Sequence, residues 1–152
     1  MRNDIKHLVL IVFLISLGAC STSRFDRQWN AMAKDPDLAV PADDVTGLWE
    51  GQWDDSVHVD ELRAIVSKKS PQIYRMFFSA RYWGWARSTY KLDMMSSDKG
   101  MPKAFEGSHK LFIFGPFLYE GKADGKGFSS TFSSKRFKGE FKMKRPDVSP
   151  GR

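Results

Sequence analysis

The chain holds one cysteine in 152 residues, only three histidines and no long apolar run. Each shortage closes off a class of function. A lone thiol forms no disulfide within the chain, so the fold must rest on its buried side chains. Two of the histidines, His58 and His109, fall in the body of the chain, far apart and without the spacing of metal ligands. No Gly-x-Ser-x-Gly elbow surrounds the serines of 129–134. The glycines fall at turn spacings and not in a phosphate-cradling loop. The acidic pairs Asp54-Asp55 and Asp60-Glu61 flank a predicted turn, where solvated carboxylates are routine. No catalytic residue, metal or cofactor is therefore expected, and the chain reads as a non-enzymatic protein. Its longest apolar stretch, Leu8 to Ile15, is short of the roughly 20 residues that span a bilayer.

That stretch nevertheless sits in an informative setting. Arg2 and Lys6 precede it, with Asp4 diluting the charge, and small residues follow it into Cys20. Positive start, short apolar run and small-residue exit make up a secretory signal. Leu17-Gly18-Ala19-Cys20 resembles the lipobox of bacterial lipoproteins residue by residue. The resemblance implies cleavage between Ala19 and Cys20, a diacylglycerol thioether on Cys20, and acylation of the new amine, with palmitate as the family's usual chain. Several acyl chains, at about 0.8 kcal/mol per buried methylene, hold a protein on a membrane durably. Ser21 in place of aspartate implies, by the enterobacterial rule, the outer membrane, facing the periplasm. If Cys20 carries lipid, no thiol is left for catalysis.

The sequence divides into a signal peptide at 1–19, a lipidated cysteine and tether at 20–46, a domain at 47–145 and a tail at 146–152. Within the tether, Phe25, Trp29 and Met32 recur at i, i+4 and i+7, which suits a short helix over 24–33. Ser23 with Asp26 is spaced as a capping box for it. From Gly47 the period becomes two. Trp49, Gly51 and Trp53 alternate with Glu50 and Gln52. Tyr74, Met76, Phe78 and Ala80 form one face, with Phe77 breaking the other. Ser88, Tyr90, Leu92 and Met94 alternate with charged residues, as do Phe137, Gly139, Phe141 and Met143. Further strands are predicted at about 61–67, 103–114, 117–123 and 127–133, separated by Lys99-Gly100-Met101-Pro102, Gly115-Pro116 and the hairpin signal Asp124-Gly125. Asp60 to Ser70 fits a strand better than a helical turn. The whole is an all-β antiparallel meander of about eight strands. Its exposed edges must be covered, by closure into a barrel or by a two-layer sandwich.

Gly47-Leu48-Trp49 resembles the Gly-x-Trp signature that opens lipocalin-type barrels. There the tryptophan plugs one barrel end and a basic residue near the last strand packs over it, a part for which Arg145 is the candidate. Trp49-Glu50-Gly51-Gln52-Trp53 and the Gly-Glu-Phe-Lys-Met ending also resemble small all-β lipoproteins of bacteria, to which no activity is attached.

Three groups of residues are candidates for function. Trp49, Trp53, Tyr74, Phe78 and Tyr90 point inward and either fill the barrel or line a site for a small apolar ligand. Trp83 and Trp85, between Arg81 and Arg87, either plug the barrel or form a binding rim. Lys138, Lys142 and Lys144 make an outward row, in a domain whose nineteen Lys and Arg face twelve Asp and Glu from Gly47 onward. That row is either a solubility device or a contact for anionic surfaces. The leading expectation is a lipid-anchored cell-envelope barrel that binds a small apolar ligand or serves a structural role. Its rival is an envelope-assembly or partner-binding lipoprotein that docks through the basic strand or the aromatic tip. Nucleic acid is not an expected partner of an exported, lipidated chain.

Overall fold

A computed structural model describes residues 22–41, 44–82, 85–96, 100–111 and 115–147. Cys20, Ala19 and Trp83 lie outside the described residues. Eight strands follow one another: β1 (Gly47–Asp54), β2 (Val59–Ser70), β3 (Ile73–Tyr82), β4 (Ala86–Ser96), β5 (Lys103–Leu111), β6 (Gly115–Ala123), β7 (Gly127–Ser133) and β8 (Lys138–Lys144). Each pairs antiparallel with the next, and β1 returns to β8 through Glu50↔Lys144 to Asp54↔Glu140. The sheet is therefore a closed, lipocalin-like barrel, and the two-layer alternative is excluded. Asp60 to Ser70 is strand throughout. Gly115-Pro116, expected as a separator, instead opens β6, with Pro116 opposite Lys110.

Alternation decides which side chains enter the barrel. Trp49, Ala64 and Phe78 are cross-strand partners on β1, β2 and β3, and all three are fully buried. The interior is packed by rings in mutual contact. Phe78 meets Phe141 at 5.5 Å, Phe141 meets Phe128 at 5.8 Å, and Phe128 meets Trp49 and Phe105 at 5.8 and 5.7 Å. Each such side chain taken fully out of water contributes on the order of 1.5–3 kcal/mol.

One barrel end is sealed. The Arg145 guanidinium lies 3.9 Å from the Trp49 ring centre, and it donates hydrogen bonds to the carbonyls of Asp44, Thr46, Leu48 and Gly125. Trp49 Nε1 donates to the Val45 carbonyl at 2.8 Å. Burial lowers the Arg145 pKa to about 10, against the pull of Asp44, so the cation persists at neutral pH. Gly47 adopts φ +100°, and a Cβ there would strike the Ala39 carbonyl. At Gly51 a Cβ would enter the Lys142 carbonyl. Glycine at these two positions lets β1 turn in beside the sealed end and lie backbone to backbone on β8.

The segment before the barrel is folded onto it. Helix α1 spans 22–32, and α2 (Pro36–Ala39) follows, its N-terminus held by the Asp35 carboxylate accepting from Asp37 N. Phe25 and Trp29 of α1 pack on Leu48, Ile65 and Phe77, which point outward from β1, β2 and β3. Phe25 meets Phe77 edge-on at 5.1 Å. Ser23 is not the cap expected of it. The helix already includes residue 22, so Ser23 lies inside it, where its hydroxyl accepts from Arg27. Asp26 turns instead to the wall and takes both terminal nitrogens of Arg87, at 2.7 and 2.9 Å.

Candidate functional site

Four hairpins, β1–β2, β3–β4, β5–β6 and β7–β8, lie at the end opposite the Trp49–Arg145 seal, because strand directions alternate around the meander. This open end is where the packing loosens. Trp49, Tyr74 and Phe78 are buried core side chains, whereas Trp53 and Tyr90 are only partly buried against that core. The five inward aromatics thus separate into a filled lower half and a half-covered mouth. At the mouth Trp53 meets Phe132 edge-on at 5.2 Å, and Tyr90 stacks on Phe78 at 5.0 Å.

Beside the mouth runs the β4–β5 seam. Among the described residues, strands β4 and β5 pair through Met95↔Glu106 and Ser96↔Phe105, near the sealed end. Gly107 of β5 still lies close against Asp93 and Met94 of β4, and toward the mouth β4 stays paired to β3 and β5 to β6. Tyr90 and His109 face each other across this seam, their rings 6.4 Å apart and 23° from parallel. Ser96 Oγ, at the foot of the seam, is buried without a hydrogen-bond partner.

His109 is the mouth residue the sequence alone did not single out. It is half-buried in phase with Phe105 and Gly107, and that phase was its one available signal. His58, by contrast, lies exposed in the β1–β2 turn, 3.8 Å from Asp55. Asp54 and Asp55 build that turn. Asp54 accepts from Ser56 N, and Asp55 accepts from Val57 N and His58 N. Desolvation pushes the Asp55 carboxyl up, but those amides and His58 outweigh it and hold the pKa below its ordinary value. Among the described residues no group of His, Cys, Asp and Glu is placed to hold a metal ion, and no helix is long and apolar enough to cross a membrane.

Of the two places open to it, Trp85 takes the rim and does not plug the barrel. It is 80% exposed, at the start of β4 on the open rim. Lys138, Lys142 and Lys144 project outward from β8 and are exposed. Glu140 stands between them on the same face and pairs with Lys142. Lys142 and Glu140 border a groove of about 740 Å³ on the barrel's outer face, together with Met95, Glu106, Lys122 and Thr131. Charges of both signs line this groove, so it offers no uniform field to an anionic partner.

Compared with known proteins, the chain finds no match: no family model, no curated protein and no solved structure corresponds to it.

Proposed function

We propose that this protein is a lipid-anchored component of the bacterial cell envelope, held at the outer membrane through Cys20, whose barrel binds a small apolar ligand at its open mouth. The observation that carries the binding half is the half-buried aromatic mouth. Trp53 and Tyr90 are only partly buried against the filled core, and His109 faces Tyr90 from β5. Apolar ligands bind in concave sites walled by aromatic side chains with a few polar groups. The filled lower half limits the ligand to the upper barrel, which favours a small ring or the end of a chain over a bulky molecule. The lipobox resemblance of Leu17 to Cys20 supports the anchoring half.

Native mass spectrometry of the protein extracted from its host envelope tests the binding half. The expected result is a small apolar adduct that leaves on unfolding. In parallel, a fluorescent fatty acid should bind the wild type and bind Tyr90→Ala at least several-fold differently. A bare mass, with no dye uptake by the wild type, rejects ligand binding.

A further inference from the structure

We infer that the open rim of the barrel is a membrane-docking face, which sets the mouth against a bilayer bearing anionic head groups. The apolar residues are the first observation. Of the eight large apolar side chains exposed among the described residues, five lie at this end: Val57, Val59, Trp85, Leu118 and Phe137. Val57 and Trp85 are 78% and 80% exposed, at the tips of two different hairpins. Tryptophan at the edge of an apolar patch suits the head-group level of a bilayer, with its ring in the acyl boundary and its N–H in water. At the sealed end the β2–β3 and β6–β7 turns present Pro71-Gln72 and Asp124-Gly125-Lys126, while Met95 and Met101 are exposed around the β4–β5 connection.

Charge is the second observation. The acids of the rim have partners: Asp54 and Asp55 accept turn amides while keeping their charge, Glu61 pairs with Arg63 and Arg81, and Glu140 pairs with Lys142. The bases of the β7–β8 hairpin differ. Lys135, Arg136 and Lys138 are exposed, and none of their side chains meets a carboxylate among the described residues. Ser134 holds that turn in shape, accepting from the amides of Arg136 and Phe137, so the two cations stand beside Phe137. Each such cation near an anionic surface strengthens binding about fivefold.

The described N-terminal segment is fastened on the same half of the barrel: Asp26 is clamped to Arg87, two residues from Trp85. The rim's apolar and basic character does not rest on the anchor proposed above.

The test uses the lipid-free chain beginning at Ser21, which keeps every contact described here, so that the rim acts without the anchor. Sedimentation with vesicles of phosphatidylcholine containing phosphatidylglycerol should retain the wild type at low salt, and added salt should release it. Trp85→Ser should weaken retention about tenfold, and Lys135→Glu with Arg136→Glu at least twentyfold. Lys126→Glu, at the sealed end, should bind as the wild type does. Circular dichroism and melting should be unchanged in all three. No retention of the wild type, or equal retention of wild type and Trp85→Ser, overturns the proposal. Loss of binding by Lys126→Glu equal to that of the double variant reduces it to net charge and overturns it as well. If full-length Cys20→Ala is still detergent-partitioned while these results hold, the anchor fails and the rim stands.

Discussion

Arg145 and Trp49 show how much one pair of residues settles. The guanidinium fork reaches four carbonyls and covers an indole face at once, a set of contacts that an ammonium cannot reproduce. Arg145→Lys should therefore cost about 2 kcal/mol in urea unfolding, since at least one buried carbonyl loses its donor. Trp49→Ala should cost about 3–5 kcal/mol, and a loss under about 1 kcal/mol would mean the seal is not structural. The pair was legible in Gly47-Leu48-Trp49 only through its resemblance to a known signature, because nothing in composition or period links residues so far apart in the chain. A second residue-scale expectation concerns acid. Arg75 and then Lys69 hold the Asp93 carboxyl well below the usual carboxylate range. Asp93 thus contributes stability that is full above the unfolded carboxylate pKa of about 4 and fades as pH falls further. The pair is more than a third exposed, so solvent screening keeps the effect small. Melting temperatures of wild type and Asp93→Asn should differ at pH 7 and converge toward pH 2; a constant difference would place the cause elsewhere.

At the scale of elements, the exceptions to alternation carried the most information. Leu48 beside Trp49, Ile65 beside Val66 and Phe77 beside Phe78 each put an apolar residue on the outer face of a strand, and these are the residues that α1 covers. Phe25 and Trp29, four residues apart in the preceding segment, are the complementary half of the same contact. Each half was readable alone, as a helix at 24–33 and as a broken polar face on β3. Their match was not, because it joins residues about twenty to fifty positions apart. The meeting of Tyr90 with His109 across β4 and β5 was illegible for the same reason: each strand alternates regularly, and which residues face each other is a property of the pair of strands. The cover makes a sharp prediction. A chain beginning at Val45 should still fold as a barrel but expose Leu48, Ile65 and Phe77, bind a hydrophobic dye and aggregate on concentration. Phe25→Ala in the full chain should cost about 3–5 kcal/mol. A truncated chain as stable and dye-silent as the full one would show that α1 adds nothing to the barrel.

For the whole molecule, closure and polarity combine. Eight strands returning to β1 leave no free sheet edge, which a chain without disulfides needs if it is to persist among other exposed strands. The two ends then differ in kind: one sealed by a cation over an indole, the other carrying exposed apolar tips beside the cations of the β7–β8 hairpin. A molecule so polarised gains from an anchor that fixes its orientation, and the lipobox resemblance offers one at Cys20. Acyl chains and a weakly bound rim would act together, since the anchor holds the rim at high effective concentration near the surface. Cys20→Ala should block this arrangement at its first step. The variant should accumulate as an unprocessed precursor, or as a species that stays in the aqueous phase on detergent partition, while the wild type enters the detergent phase and incorporates radiolabelled palmitate. If the variant is cut after residue 19 and still partitions into detergent, Cys20 is not the lipid attachment site, and the membrane association must come from the barrel itself.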